Sequence, residues 1–254
     1  MINAERQEKI KEYVYANKYA NIGELAELFQ TSTATIRRCL KQLEAEHVVE
    51  MVRNGAVLIS NGTTFEKPYL VKRPQNGQEK RRIAQAAAAC LHTDDSIFMD
   101  SSSTVFEMVD CLRALDRLTI STNDVMIASA LSPFQNLSVM VTGGIQRQGF
   151  YTLTGCFAES CMEQVHVDFA FLGVDSISPN GHFMITNSEE VGIKRAILRS
   201  ANTKIVLCDH TKFNRTAFVK LWEIQDVDLV ITGRELDDAA YQAYTELGLN
   251  IQRV

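Results

Sequence analysis

Residues 31–44, TSTATIRRCLKQLE, predict an amphipathic helix whose apolar and basic sides are sharply separated. At about 100° per residue, one side of this helix collects the apolar side chains of Ile36, Cys39, Leu40 and Leu43. The opposite side collects Ala34, Arg38 and Lys41, flanked by Thr35 and Arg37. Ser32 stands just before the first turn, where its side-chain oxygen can accept a hydrogen bond from a free backbone N–H group.

The segments around this helix indicate the rest of a small domain. Residues 5–15 and 22–29 carry apolar positions at helical spacing, and the three or four residues after Phe29 form a connection of helix-turn-helix length. Downstream, two runs rich in β-branched residues flank the sequence Arg53-Asn54-Gly55-Ala56. Asn-Gly in that setting predicts a hairpin with a type I′ turn, in which both central residues have positive φ. Three helices and a hairpin together predict a winged helix-turn-helix.

The basic face of the predicted third helix suits entry into the major groove of DNA. Taken alone, three basic residues on an amphipathic helix are more typical of a solvated surface helix, and the flanking elements are what favour DNA binding. Arg38 is the best candidate for bidentate contact to guanine, and Arg53 at the hairpin tip for contact to a phosphate. The candidate DNA-contacting residues are Ser32, Thr33, Thr35, Arg37, Arg38, Lys41 and Arg53.

Net charge does not explain DNA binding in this chain. Residues 1–60 carry eight Lys and Arg residues against eight glutamates, so the whole formal charge of −5 lies beyond residue 60. Phosphates must therefore be attracted by local charge on one helix face. The affinity of a single copy should be weak and salt-sensitive, which favours a homodimer or homotetramer on repeated half-sites of an operator.

Cysteine, histidine and apolar patterning exclude several classes of protein. The six cysteines include no CxxC pair, and the five histidines lack the spacing of metal ligands, so we expect no metal site and no cofactor. No signal peptide opens the sequence, and no apolar run reaches the length needed to span a bilayer. We expect a cytoplasmic protein without a membrane partner.

The periodic spacing of apolar residues stops between the two halves of the chain. Asn-Gly pairs and prolines punctuate this stretch, and a strong alanine-rich helical pattern restarts at residue 79. We therefore predict a DNA-binding domain over 1–60, a linker over 61–78 and a second domain over 79–254.

The second domain alternates apolar runs with helical segments. The runs cover residues 96–99, 118–121, 137–141, 169–172, 205–208, 229–231 and a last stretch near Ile251. The helical segments lie around residues 79–91, 104–114, 124–132, 156–165, 188–201 and 235–247. Near-continuous apolar strands separated by helices predict an α/β fold with a mainly parallel sheet covered on both faces.

Residues with hydroxyl or carboxylate side chains, together with glycines, follow five of these strands. Because ligands of open α/β sheets bind outside the carboxyl ends of the strands, this edge predicts a polar small-molecule site. Residues 101–104 precede a helix, whose free N–H groups favour an anion, and the carboxylates can accept hydrogen bonds from sugar hydroxyls. The candidate ligand-binding residues are Lys80, Asp100, Ser101, Ser102, Ser103, Thr104, Thr122, Asn123, Gly143, Gly144, Asp175, Lys194, Asp209 and Lys212.

Arg147, Phe150 and Tyr151 lie near this edge, and the sequence leaves two interpretations open for each of them. Arg147 is either a ligand-facing cation or a surface charge. Phe150 and Tyr151 either close over a ligand or pack against the linker. Trp222 is expected to be a core residue.

Both halves together resemble the DeoR family of bacterial regulators of sugar metabolism. The resemblance rests on Ser32 with Thr35-Ile36-Arg37-Arg38, Asn54-Gly55-Ala56, Glu79-Lys80, residues 100–104, Thr122-Asn123, Gly143-Gly144 and residues 209–213. It implies a sensor domain similar to ribose-5-phosphate isomerase, a phosphorylated sugar or related metabolite as effector, and an oligomeric repressor. The chain departs from the family pattern at Cys39, Met51, Asn54, Ser102 and Phe183. At position 102 the family usually has glycine.

We expect a DNA-binding transcriptional regulator that is not an enzyme, most consistent with a repressor of a carbohydrate-catabolism operon. The alternative is a sugar-phosphate isomerase with an added DNA-binding head, for which Asp100, Asp175, Asp209 and Lys212 could supply a base and a cation. A third alternative is a protein-interaction module without a ligand. The sequence does not identify the effector or the operator.

Overall fold

Three helices and a three-stranded sheet dominate the first of two structural units. The computed structural model describes residues 3–59 and 62–254, and the two units divide between Gln75 and Asn76. The elements of the first unit are α1 (Asn3–Asn17), β1 (Tyr19–Asn21), α2 (Ile22–Leu28), α3 (Thr33–Ala45), β2 (Val49–Val52), β3 (Gly55–Leu58) and α4 (Tyr69–Lys72). The strands are antiparallel in the order β1-β3-β2. The winged helix-turn-helix prediction is confirmed, with β1 as an addition to it.

Helix α3 buries the face that its sequence predicts. Ile36, Cys39, Leu40 and Leu43 are each at most 1% exposed, because their spacing places them on one side of the helix. They pack into one core with Ile10 and Val14 of α1, Leu25 of α2 and the inner residues of the hairpin.

The hairpin turn differs from the predicted one. Val52 pairs with Gly55, so the turn is centred on Arg53 and Asn54, and only Asn54 has a positive φ, of 68°. The type I′ prediction over Asn54-Gly55 is therefore wrong. Gly55 belongs to β3 and pairs with Asn21 of β1, where a Cβ atom would lie 2.3 Å from the carbonyl oxygen of Ala20. Close approach of β1, not turn geometry, requires glycine here.

The segment between the domains is more structured than the predicted linker over 61–78. Helix α4 lies inside it, and the first helix of the second unit begins at Gly77. Ser60 and Asn61, where the predicted first domain meets the linker, are outside the described residues.

The second unit is a seven-stranded parallel sheet with helices on both faces. Its elements are α5 (Gly77–Ala88), β4 (Ser96–Met99), α6 (Met108–Leu112), β5 (Leu118–Thr122), α7 (Val125–Leu131), β6 (Leu137–Val141), β7 (Ile145–Gln146), β8 (Leu153–Thr154), α8 (Cys156–Glu163), β9 (Val167–Leu172), β10 (Ser176–Ile177), β11 (Phe183–Ile185), α9 (Val191–Arg199), β12 (Ala201–Leu207), β13 (Val219–Trp222), β14 (Leu229–Thr232), α10 (Asp238–Glu246) and β15 (Ile251–Arg253). The sheet order is β15-β14-β12-β9-β4-β5-β6, and all seven predicted strands are present in it.

The strand order creates a switch point between β4 and β9. From β4 the chain moves outward through β5 and β6, then returns to β9 on the other side and moves outward through β12, β14 and β15. Such reversals open a crevice at the carboxyl ends of the two central strands, where ligands of doubly wound folds bind.

Small antiparallel elements supplement the main sheet. β10, β11 and β13 form one three-stranded sheet, and β7 pairs with β8. Trp222 and Phe183 lie in the apolar core, with ring centroids 6.3 Å apart, so the core assignment of Trp222 is confirmed. Among the described residues, the structure contains no helix that combines the length and the apolar character of a membrane span.

Candidate functional site

The outer face of α3 carries three exposed cations. Arg37, Arg38 and Lys41 are exposed, and none of the three makes an ion pair or side-chain hydrogen bond within residues 3–59 and 62–254. Ser32 caps the helix as predicted, accepting a hydrogen bond from the backbone N–H of Thr35 at 3.2 Å, and the two hydroxyl groups lie 2.9 Å apart. The start of α3 is thereby fixed while its basic face stays open to an anionic surface.

The hairpin presents a further cation and is tied to the same helix. Arg53 is exposed at the turn. The carboxylate of Glu44, on α3, accepts a hydrogen bond from the backbone N–H of Met51 at 3.0 Å. Because this contact joins the hairpin to α3, Arg53 and the basic face of α3 keep a fixed spacing.

A buried ion pair spans the switch point in the second unit. Lys194, on α9, donates to the Oδ2 atom of Asp100 after β4 and, at 3.0 Å, to the carbonyl oxygen of Gly173 after β9. The same Asp100 oxygen accepts the backbone N–H of Gly173 at 2.9 Å. Burial alone would lower the pKa of Lys194, but Asp100, helped by Glu190, outweighs it and raises that pKa above its ordinary value. Lys194 therefore remains a cation under the two central strand ends.

The ion pair continues into the segment after β6. Glu190 lies 4.0 Å from the Lys194 ammonium group, and its other carboxylate oxygen accepts a hydrogen bond from Arg147 at 2.6 Å. The Arg147 guanidinium lies over the ring of Phe150, 3.8 Å from its centroid. Arg147 is thus a half-buried structural cation, and Phe150 packs against it. Glu190 had no distinguishing feature in the sequence.

Hydroxyl and amide groups lock together the loops after β4 and β5. Asn123 accepts the backbone N–H of Ser101 at 3.0 Å, and the Ser101 hydroxyl donates to Asp124 at 2.6 Å while accepting from Thr152 at 2.7 Å. Burial raises the pKa of Asp124, although hydrogen bonds from Ser101 and the first turn of α7 oppose the shift. Asp124 caps α7, and we infer a positioning rather than a ligand-contacting part for it.

Ser102 occupies space that abuts Gly173. A Cβ atom on Gly173 would lie 2.4 Å from the Cβ atom of Ser102, and the Ser102 hydroxyl accepts the backbone N–H of Thr104 at 3.2 Å. The helix expected at 104–114 is a 3-10 turn over Val105–Glu107 followed by the five-residue α6. A long helix with a strong dipole therefore does not follow this loop, and an anion there would depend on the N–H and hydroxyl groups of Ser102 and Ser103, because those of Ser101 are already donated to Asn123 and Asp124.

The ends of β6 and β9 complete the edge. Gly144 has a φ of 114°, and a Cβ atom on it would lie 2.6 Å from the carbonyl oxygen of Thr154, so glycine is required there. Gly143 is exposed and also has a positive φ. Asp175, in the connection after β9, accepts the backbone N–H of Thr186 at 2.9 Å, which ties this connection to the residue that follows β11.

A second polar group lies at the end of β12. Burial opposes ionisation of Asp209, yet Lys212, hydrogen bonds from Thr211 and the buried Lys80 outweigh it and hold the pKa of Asp209 below its ordinary value. Glu79, beside Lys80 on α5, accepts the backbone N–H of His210 at 2.7 Å and lies 2.9 Å from its Nδ1 atom. The sequence offered Glu79 only as part of a family motif.

Three potential metal-ligand atoms lie within 4.8 Å of one another, one each from Glu79, Asp209 and His210. The surrounding charge does not suit a cation, because Lys80 and Lys212 both face Asp209. Both Glu79 oxygens already interact with His210. These residues are therefore satisfied by one another and make a poor metal site.

The edge suits binding better than proton transfer. An isomerase needs a carboxylate that can take a proton from carbon. Asp100 is engaged by Lys194, Asp175 by a backbone N–H group, and the pKa of Asp209 is held low. The isomerase alternative assigned proton abstraction to one of these three carboxylates, and their contacts do not favour that role for any of them.

Comparison with known proteins agrees with both units. A family described as the DeoR-like helix-turn-helix domain matches residues 6–62, and one described as the DeoR C terminal sensor domain matches residues 75–234. The HTH-type transcriptional regulator GolR of Listeria innocua is 29% identical over 252 residues, which is 99% of each chain. The glycerol-3-phosphate regulon repressor of Escherichia coli K12 is 27% identical over 252 residues, again 99% of each chain. A solved D-ribose-5-phosphate isomerase, in complex with phospho-erythronic acid, is similar over 54% of each chain, with a TM-score of 0.41 and 17% identity.

The two family matches follow one another along the chain and together cover most of it. Relatives of the same length are transcriptional regulators and repressors. This chain therefore belongs to the DeoR family of DNA-binding transcriptional regulators.

Proposed function

We propose that this regulator represses a carbohydrate-catabolism operon and that a phosphorylated sugar or related metabolite controls its binding to the operator. The observation that carries the proposal is the presence, in one chain, of an unpaired basic helix face and a polar sheet edge built around a buried lysine. A relative over the whole length is the repressor of a glycerol-3-phosphate regulon, which supports both repression and a phosphorylated effector. The protein would act in the cytoplasm, where its operator is accessible.

On DNA, the exposed side of α3 enters the major groove. Arg38 contacts guanine through two hydrogen bonds, and Arg37 and Lys41 contact the flanking backbone. Thr33, Thr35 and Ser32 at the start of α3 lie where short hydroxyl side chains reach phosphates, and Arg53 contacts a phosphate beside the groove.

In the second unit, the loop of Ser101–Thr104 receives the phosphate group of the effector. Carboxylates at the same edge, Asp175 and Asp209, accept hydrogen bonds from hydroxyl groups of the sugar. Lys80, Lys194 and Lys212 supply positive charge, while Thr122, Gly143 and Gly144 shape the backbone around the ligand. The switch point supports this placement, since it is where doubly wound folds bind their ligands.

The regulator acts as a homodimer or homotetramer. The neutral first domain supports this, because one copy neutralises few phosphates and two copies double the number. Exposed apolar side chains of the second unit, Ile145 at 72% and Phe157 at 73%, provide surface for association. The effector alters DNA binding only if it binds one arrangement of the paired heads more tightly than the other, and couplings of this kind are about 1–3 kcal/mol.

Arg38→Ala tests the division of labour. We expect the variant to lose about 5- to 150-fold in operator affinity, equivalent to about 1–3 kcal/mol, by fluorescence anisotropy on DNA from upstream of its own gene. Effector binding, followed by calorimetry with a panel of sugar phosphates, should be unchanged. Arg117→Ala is the control, because it removes an exposed cation from the second unit. Equal loss of DNA and effector binding in Arg38→Ala would contradict the two-module mechanism.

A further inference from the structure

Two buried polar atoms beside the switch point lack a hydrogen-bond partner within the described part of the chain. They are the Oδ1 atom of Asp100 and the Nδ2 atom of Asn123, and both residues have 0% exposure. The other polar atom of each side chain is engaged: Asp100 Oδ2 by Lys194 and Gly173, and Asn123 Oδ1 by the N–H of Ser101.

These contacts fix the chemical character of the two remaining atoms. The backbone N–H of Ser101 can only donate, so the oxygen of the Asn123 amide faces it and the amide nitrogen is left as a donor. The ion pair with Lys194 engages Asp100 as a carboxylate, which leaves its Oδ1 atom as an acceptor.

The donor and the acceptor follow the ends of two neighbouring strands. Met99 pairs with Thr122 in parallel register at the ends of β4 and β5, so Asp100 and Asn123 each directly follow a paired residue. The hydrogen bond from the backbone N–H of Ser101 to the Asn123 amide holds this amide beside the residue that follows Asp100. Because neighbouring strands are about 4.8 Å apart, the acceptor and the donor belong to adjacent strand ends at the carboxyl edge of the sheet.

A hydroxyl group satisfies both atoms at once, because it donates to Asp100 and accepts from Asn123. A phosphate oxygen would accept from Asn123 but be repelled by the Asp100 carboxylate. We propose that Asp100 and Asn123 together recognise one hydroxyl group of the effector, which is therefore a hydroxylated organic phosphate and not inorganic phosphate or an alkyl phosphate. This proposal rests on the proposed function, since it specifies the ligand class of the same site.

The test compares two probes on the full-length wild-type protein. Propyl phosphate and glycerol 3-phosphate share a three-carbon phosphate ester and differ by two hydroxyl groups; ribose 5-phosphate and glucose 6-phosphate extend the hydroxylated set. We expect the best hydroxylated probe to bind about 10-fold or more tightly than propyl phosphate by calorimetry, because propyl phosphate leaves both buried atoms unpaired. Equal affinity for propyl phosphate and every hydroxylated probe overturns the proposal without the need for any variant.

A variant then assigns the preference to Asn123. Asn123→Asp keeps the acceptor for the Ser101 N–H but replaces the donor by a carboxylate oxygen. The added negative charge weakens the binding of every phosphate ester to a similar extent. The ratio of the affinity for the best hydroxylated probe to that for propyl phosphate therefore reports on the hydroxyl contact alone. In Asn123→Asp this ratio should fall toward one. Asn187→Asp is the matched control: Asn187 likewise accepts a backbone N–H, from Glu189 at 2.7 Å, and lies outside this pair of residues. There the ratio should stay at the wild-type value.

The outcomes separate the two proposals. If Asn123→Asp retains the wild-type ratio while it is folded, the Asp100–Asn123 contact is refuted and the phosphorylated effector stands. If no phosphorylated probe binds wild-type protein that still binds its operator, the proposed effector class fails and the hydroxyl contact fails with it.

Discussion

Replacing Lys194 by methionine should strongly destabilise the second unit. The Lys194 side chain is 3% exposed and that of Asp100 0%. Methionine has similar length but no charge, so the variant loses the hydrogen bond to Gly173 and leaves the Asp100 carboxylate without a cation in the interior.

The expected loss follows from that uncompensated charge. Removing one partner of a buried ion pair destabilises a protein by about 3–5 kcal/mol, out of a usual total of about 5–15 kcal/mol. For a unit of this size, each kcal/mol lowers the melting temperature by about 2–4 °C, so we expect a decrease of about 6–20 °C.

The assay can follow this unit alone within the whole chain. The only tryptophan, Trp222, is buried in the second unit, so its fluorescence during urea unfolding reports on that unit. The matched control is the double variant Asp100→Asn with Lys194→Met, which removes both charges and should regain most of the lost free energy of unfolding.

The pH dependence provides an independent check. Because the pKa of Lys194 is raised in the folded protein, its stabilisation is fully present below the unfolded pKa, about 10.4, and disappears as the pH rises through the folded value. The difference between wild type and Lys194→Met should be constant from neutral pH to about 9 and shrink above about 10.4. A single variant within about 0.5 kcal/mol of wild type, or a double variant no better than the single one, would refute this reasoning.

Substitutions at Gly55, Ser32 and Asp209 have defined outcomes. Gly55→Ala should destabilise the first unit by about 1–3 kcal/mol in thermal unfolding followed by circular dichroism, because its Cβ meets the Ala20 carbonyl, whereas Gly77→Ala meets only Arg81 at 3.8 Å and should be tolerated. Ser32→Ala should lose about 1 kcal/mol by the same measurement, and Ser32→Asn, which retains a capping oxygen, should not. The low pKa of Asp209 stabilises the fold above its unfolded value of about 3.9, and this contribution is lost as the pH falls through the folded value. Asp209→Asn should therefore flatten the acid side of a tryptophan-monitored stability profile, and an unchanged profile would contradict that assignment.

Elements with a repeating apolar pattern were predictable from the sequence. The buried face of α3 and the seven parallel strands follow from side chains that recur at the period of a helix or a strand. Strand β1 has only three residues, too few for a period, and exists because it pairs with β3 more than thirty residues later. The same long-range pairing moved the hairpin turn to Arg53 and Asn54.

The edge of the candidate site was predictable, but the connections within it were not. Polar residues after apolar runs identified Asp100, Asn123 and Asp209, because strand order does not change which end of a parallel strand is the carboxyl end. The partners of these residues come from distant positions: Lys194 lies 94 residues from Asp100, and Arg147 lies 43 residues from Glu190. Only the folded chain shows that Arg147 neutralises a carboxylate.

The contact between Ser102 and Gly173 makes these two positions evolutionarily dependent. Only one of them can carry a side chain in the present backbone, since a Cβ atom at 173 would meet that of Ser102 at 2.4 Å. A lineage that acquires serine at 102 thereby commits position 173 to glycine, and reversion at 102 would release that commitment. The substitutions tolerated at position 173 consequently depend on the residue at position 102, so a mutational scan of one position with the other held fixed does not describe the pair.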